Sequence, residues 1–282
     1  MTIDLMISKG VTEMSIHSFS ADSKICTKCG ACVKDCPLGV LELASGTPGF
    51  KEGAAEKCFA CLHCVAVCPV GAVTLDGNSA ASCRPIGALP SGEQVANLLR
   101  ARRSVRQYAT EDVPREEIEN LLSALRAVPT GCNQQDLTFT VVSSRAQMDA
   151  LRKKVLETLV AHAATLPDFI AGIVKTSQEH PGLDVFFRNA PHILIVQGNA
   201  DCVTPQADAI AACAYFDLLA QAHGLGTCWC GFLKIMADAV PEVLNVFGLK
   251  PGVPYYAMLF GKPTVHYART ANRDAAAQTR WL

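Results

Sequence analysis

Apolar residues recur along this chain with two periods, and the alternation between them outlines most of its elements. From residue 91 to 125 the spacing is helical. Ser91 and Gln94 form a capping-box pair, and Val95, Leu98 and Leu99 follow on one face. Pro114 suits the first turn of a second helix, with Ile118, Leu121, Leu122 and Leu125 on one side. Residues 137 to 142 alternate and are rich in β-branched side chains, which predicts a strand. Helical spacing returns over residues 146 to about 179, with a break near Pro167. Residues 193–196 read as a buried strand, and a long helix runs from about 204 to 223, ended by Gly224. A further helix is predicted over roughly 235–247, then a strand over 255–260 and a polar tail with Arg269, Arg273 and Arg280. Helices and strands mix without a strict strand–helix–strand repeat, so the fold class is α+β.

The N-terminal part follows neither period. It carries two cysteine runs, Cys26-x2-Cys29-x2-Cys32-x3-Cys36-Pro37 and Cys58-x2-Cys61-x2-Cys64-x3-Cys68-Pro69. Each is followed by a short β-type stretch, Gly39-Val40-Leu41-Glu42-Leu43 and Gly71-Ala72-Val73-Thr74-Leu75, so the segment is an internal duplication. This spacing is the ligand run of a bacterial two-cluster ferredoxin, in which the fourth cysteine of each run reaches the other cluster. On that reading Cys26, Cys29, Cys32 and Cys68 hold one [4Fe-4S] cluster, and Cys58, Cys61, Cys64 and Cys36 hold the second. Three closely spaced thiolates cap one corner of a cubane, and the proline turns the chain away. Paired zinc sites compete with this reading, but zinc favours C-x2-C pairs with longer gaps between them. A disulfide framework fits less well, because residues 1–22 do not read as a secretory signal. So small a core needs clusters as staples. The expected division is an extension over residues 1–22 lying on the surface, a ferredoxin-type domain over 23–80, a linker over 81–90 and a larger domain over 91–282.

Composition narrows the classes. With 282 residues, 50% of them hydrophobic and 18% charged, a substantial core is possible and disorder is not indicated. A net charge of -1 gives no general attraction to nucleic acid or to anionic membrane. No run of eighteen apolar residues predicts a membrane-spanning helix. Fourteen cysteines are present, and those outside the runs (Cys83, Cys132, Cys202, Cys213, Cys228 and Cys230) are scattered. That scatter suits a reducing compartment, so the expected location is the cytoplasm, under conditions with little oxygen.

Arg102-Arg103-Ser104-Val105-Arg106 packs three guanidinium groups and a hydroxyl into five residues after a helix. Arginine forks match phosphate oxygens and serine adds a donor, so the segment suits an anionic ligand, although charge runs are often only solvated faces. Three further motifs follow in order: Ala127-Val128-Pro129-Thr130-Gly131-Cys132-Asn133-Gln134-Gln135, Gly224-Leu225-Gly226-Thr227-Cys228-Trp229 and Gly261-Lys262-Pro263. Together they resemble the FMN-dependent nitroreductase family over roughly residues 91–282. With the cysteine runs ahead of them, the whole chain resembles the ferredoxin–nitroreductase fusions of anaerobic bacteria.

The resemblance implies a fold, a set of contacts and an assembly. The larger domain is expected to hold a central, mainly antiparallel sheet flanked by helices. Arg102 and Ser104, with Arg103 beside them and Arg273 from the tail, would grip the FMN phosphate, and Arg269 is a second candidate from the tail. Arg106 would lie near the pyrimidine edge, where positive charge stabilises the reduced flavin. The segment with Pro129, Thr130, Gly131 and Asn133 comes from the other subunit in the family, which implies a homodimer with FMN between two chains. The backbone around Cys230 and Gly231 would approach flavin N5 and O4. The family's usual Gln-Pro-Trp after the asparagine turn is here Gln135-Asp136-Leu137. No side chain is assigned a catalytic role.

Clusters pass single electrons whereas many organic acceptors take two, so joining the modules makes a one-to-two-electron converter. The expected activity is reduction of a small electrophile, such as a nitroaromatic, quinone or conjugated compound. Electrons would arrive through the clusters from a ferredoxin-like donor. Two alternatives stand beside it. In one, NAD(P)H reduces the flavin and the clusters carry electrons outward; in the other, the chain is an electron-transfer module without a substrate of its own. Cys228 and Cys230 read as free thiols rather than a dithiol or metal pair, and Cys132 as inert.

Overall fold

The computed structural model describes residues 16–44, 46–249, 251–273 and 277–282. The chain forms two compact units, Met1–Leu89 with Gly131–Gln134, and Pro90–Thr130 with Gln135–Leu282.

The first unit is built from short elements: β1 (Phe19–Ala21), α1 (Ala31–Lys34), β2 (Leu41–Ala44), β3 (Thr47–Phe50), α2 (His63–Ala66) and β4 (Val73–Leu75). β1 pairs antiparallel with β4, and β2 with β3. Phe19–Ala21 are therefore part of this unit's folding, where the sequence suggested a surface extension over 1–22; residues 1–15 lie outside the described residues. The duplication reappears in the backbone. Lys28 and Gly30 ahead of α1 have φ of 59° and 73°, and Ala60 and Leu62 ahead of α2 have 47° and 60°. Gly39 and Gly71, after the two runs, have 60° and 66°. Such left-handed turns point successive N–H groups to one side, which favours an anionic occupant. The core is small: Val40, Leu41, Val65, Val73 and Leu75 close around Cys32 and Cys64.

The second unit is a three-layer α/β/α arrangement. Its elements are α3 (Gly92–Ala101), α4 (Arg115–Leu125), β5 (Leu137–Val142), α5 (Arg145–Ala161), α6 (Asp168–Glu179), β6 (His192–Gly198), α7 (Pro205–Ala222), β7 (Gly226–Trp229), α8 (Gly231–Ala239), α9 (Val243–Val246) and β8 (Tyr255–Gly261). The strands form one antiparallel sheet in the order β5-β6-β8-β7. β6 and β8 are apolar on both faces because helices cover both. Ile193, Ile195, Ala257 and Leu259 face the core shared with α5, α6 and α8, while Leu194, Val196, Met258 and Phe260 face that shared with α4 and α7. The predicted capping box is formed: Ser91 N–H donates to Gln94 Oε1 at 2.7 Å and Gln94 N–H to Ser91 Oγ at 3.2 Å. The helix expected over 235–247 differs. It begins at Gly231 and is split into α8 and α9, because Pro241 has no N–H to carry the ladder on. β7, too short to show a period, was not anticipated as a strand.

His192 at the start of β6 is fully buried and joins three segments. Its Nε2 accepts from Val113 N–H at 2.9 Å, so Nδ1 is the protonated nitrogen and donates to Val142 O at 3.2 Å. Burial lowers its pKa. The unfolded chain takes the proton more readily than the folded one, so stability from the neutral ring is complete above about pH 6.5 and is lost as pH falls towards the lowered folded value. Urea midpoints of the second unit should therefore drop between pH 7.5 and 5.5. In His192→Gln, which keeps an acceptor for Val113, the drop should shrink; an unchanged drop would assign the effect to other groups.

Candidate functional site

In the first unit, Cys26, Cys29, Cys32 and Cys68 line one cavity together with Thr27, Gly30, Pro48 and Val70. A four-thiol wall is chemically suited to a cluster and to little else of that size. Beyond burial, Cys68 and Cys26 push the Cys32 thiol up, and Cys61 and Cys36 do the same to Cys58. Among the described residues no group of three or more His, Cys, Asp or Glu closes to single-ion geometry. Burial pushes the Cys32 and Cys58 thiols up and that of Cys64 up to about 11, whereas N–H donation from Ala31 draws Cys29 down. Metal coordination displaces such protons outright. Two sulfurs also receive backbone donors, Cys58 from Ala60 N–H at 3.4 Å and Cys68 from Ala72 N–H at 3.2 Å, and such bonds raise a cluster's potential by stabilising added charge.

The basic segment of the second unit is a strap laid across the sheet end. Val105 N–H donates to Thr227 O at 2.8 Å, Ala109 N–H to Lys262 O at 2.8 Å and Thr264 N–H to Gln107 O at 3.1 Å. Tyr108 turns its hydroxyl back to Val105 O at 2.7 Å. The motif glycines permit this closure: a Cβ on Gly226 would sit 2.8 Å from Val105 side-chain atoms, and one on Gly261 2.6 Å from Pro191. Arg102 meets the buried Asp217 of α7, Nη1 to Oδ2 at 3.4 Å. Asp217 also accepts from Thr227 Oγ1 and, at 3.0 Å, from Trp229 Nε1. A guanidinium has five donors, so this ion pair leaves others available for an anionic ligand. Ser104 is half-buried, Arg103 lies over the Tyr267 ring at 5.9 Å, and Arg106 is exposed with one bond to Ser104 O at 3.3 Å.

The remaining expected contacts fall in three places. Cys230 follows β7 and is the N-cap of α8; its N–H donates to Ala257 O at 2.9 Å, and at Gly231 a Cβ would meet only Tyr256 Oη at 3.8 Å, leaving space beside that backbone. Both neighbouring thiols are buried: burial pushes Cys230 up to about 12 and Cys228 upward, which makes them inert. Thr130 stays in the second unit, where its Oγ1 accepts from Gln135 N–H at 2.9 Å and it lines a pocket with Leu125, Val128 and Phe139. Gly131 and Asn133 belong to the first unit, and the Asn133 amide donates to Phe59 O, between two cysteines, at 3.0 Å. Arg269 and Arg273 are exposed in the tail. Arg188 was missed by sequence reasoning, because a single arginine between two apolar stretches gives no signal. Its charge acts on Cys228 together with those of Arg106 and Arg102.

Residues 99–262 match the model of the nitroreductase family. The chain belongs to that family. Residues 25–73 match the model described as a 4Fe-4S dicluster domain, so a nitroreductase domain follows a ferredoxin-type one. A protein of Archaeoglobus fulgidus with the provisional name NADH dehydrogenase/NAD(P)H nitroreductase is 29% identical over 165 residues, covering 56% of this chain and 83% of its own. Among solved structures, a Bacteroides fragilis nitroreductase with bound FMN aligns at TM-score 0.53 and 20% identity, over 66% of this chain and 99% of that one. A Desulfitobacterium hafniense nitroreductase with bound FMN aligns at 0.51 and 19%, over 66% and 98%. At these identities the two structures establish the fold of this nitroreductase domain. Within it, Gly226→Ala should cost roughly 1–3 kcal/mol by overpacking Val105. Chemical denaturation measures that loss; a variant as stable as the parent would mean the strap is not held against β7.

Proposed function

We propose that this nitroreductase-family protein binds FMN and two [4Fe-4S] clusters, takes electrons through the clusters from a ferredoxin-like donor and reduces a small electrophilic acceptor. The observation that carries the reading is the strap, which sets Ser104 and Val105 beside Thr227 of β7, three residues ahead of the open Cys230–Gly231 backbone, with Arg102 and Arg106 on either side of them. When bound, the clusters supply single-electron transfer and FMN supplies hydride from N5. The chain itself supplies binding and charge. Arg102 and Ser104 take the phosphate, with Arg103 beside them and Arg273 from the tail, and Asp217 holds Arg102 in place. Arg106 sets positive charge near the pyrimidine edge. Gly231 admits the ring edge to the backbone of residues 230 and 231. Pro129, Thr130, Gly131 and Asn133 complete the flavin site across a homodimer. Cys26, Cys29, Cys32 and Cys68 hold one cluster, and Cys58, Cys61, Cys64 and Cys36 the other, a grouping supported by the four-thiol cavity. No helix among the described residues is long and apolar enough to cross a membrane. The scattered cysteines support a cytoplasmic location.

The Archaeoglobus relative's name favours a second reading, in which NAD(P)H reduces the flavin and the clusters carry electrons out. Anaerobic mixing of the loaded protein with NADH and, separately, with a reduced ferredoxin distinguishes them by which reagent bleaches the flavin within turnover time. Bleaching by the ferredoxin is expected; bleaching by NADH alone would install the second reading. Arg102→Ala should purify with most of its FMN lost, and undiminished flavin would remove the phosphate role. Cys61→Ala should lose about half the iron and slow flavin reduction by the ferredoxin. Full iron content in that variant would contradict the ligand grouping.

A further inference from the structure

Arg188 carries a charge that the site described so far leaves unused. It is half-buried in the turn between α6 and β6 and has φ of 56°, followed by Asn189 at 52°, a conformation side chains with a Cβ rarely adopt. Asp184 imposes that turn. Its carboxylate accepts from the N–H groups of Phe187 at 2.8 Å and Asn189 at 2.9 Å and from Arg152 Nε at 2.8 Å. Among the described residues no carboxylate lies within ion-pair distance of Arg188. The guanidinium lies instead over the ring of Phe232, 5.7 Å from its centroid, one residue past Gly231.

The surroundings are aromatic. Phe186 meets Phe232 edge-on at 5.8 Å, and its carbonyl accepts from Cys230 Sγ at 3.9 Å, so this turn packs directly on the end of β7. Phe169 of α6 lies nearly parallel to Phe232, at 6.2 Å and 13°, yet is 61% exposed. A half-desolvated cation with no anion and a flat ring held open to solvent are both unfavourable alone, and one ligand relieves both. A carboxylate matches the guanidinium fork, and a planar conjugated body matches the phenyl faces.

We propose that Arg188, with Phe169 and Phe232, forms an acceptor subsite that selects planar conjugated or aromatic compounds bearing a carboxylate. The carboxylate pairs with Arg188 and the ring lies along Phe169. This deepens the proposed reaction and rests on it, since the electrons come from reduced flavin. With a nitroarene, two electrons and two protons convert the nitro group to nitroso with loss of one water.

The test uses the flavin- and cluster-loaded protein with 4-nitrobenzoate and 4-nitrobenzamide, which differ in charge. The parent should show the larger kcat/KM for nitrobenzoate. Arg188→Gln should lower the nitrobenzoate-to-nitrobenzamide ratio at least tenfold, mainly through KM, and Arg188→Lys should recover part of it. Benzoate, followed by its perturbation of flavin absorbance, should bind at least tenfold more weakly to Arg188→Gln, whose FMN content should equal the parent's. At the exposed Phe169, Phe169→Ala should raise KM for both arenes. Equal use of the two arenes by the parent, an unchanged ratio in Arg188→Gln, or loss of FMN from that variant would overturn the subsite. Protein that reduces neither arene but binds benzoate in an Arg188-dependent way would support the subsite and overturn the reaction.

Discussion

A buried carboxylate organises the larger unit. Asp217 sits in the middle of α7, its side chain 5% exposed, and meets donors from three directions: Thr227 and Trp229 on β7, and Arg102 at the root of the strap. A charge so buried is tolerable only with its partners in place, and removing one leaves an uncompensated ion. Helix, edge strand and strap are therefore coupled. The strap cannot leave β7 without exposing this cost, and the phosphate-binding donors proposed on it inherit that rigidity.

Packing and function meet again at the glycines and thiols of the same edge. Gly226 lets Val105 approach, and Gly261 makes room for Pro191 and Tyr108, so the strap's hydrogen bonds can form at 2.8 Å. Cys228 and Cys230, the side chains with most evident reactivity by type, are buried in the core against α8. What remains accessible there is backbone and positive charge, which suits a protein that binds and tunes a cofactor rather than one that attacks substrate itself.

The smaller unit solves a different problem. Its apolar core is a few valines and leucines, so its shape rests on paired left-handed turns and on closely packed cysteines, of which burial pushes Cys32, Cys58 and Cys64 towards the protonated form. The larger unit instead has a sheet covered on both faces.

Much of this was legible in the sequence because the signals are local. The cysteine spacings, the Ser91–Gln94 box, the alternation of residues 137 to 142 and the helix ending before Gly224 each depend on residues within a turn or two of one another. The strap's positive charge was legible too, since three arginines in five residues are visible without a fold. Other features depended on residues far apart in sequence and were decided only in three dimensions. β1 exists because β4 lies beside it, β7 because β8 supplies its partners, and Asp217 became a hub only when α7 crossed β7. Arg188 gained meaning from Asp184, Phe232 and Cys230, and the turn at Asn133 joined the cysteine unit through Phe59. Sequence determines which groups are present and their local conformation; which of them meet is set by long-range packing, which no short window of residues encodes.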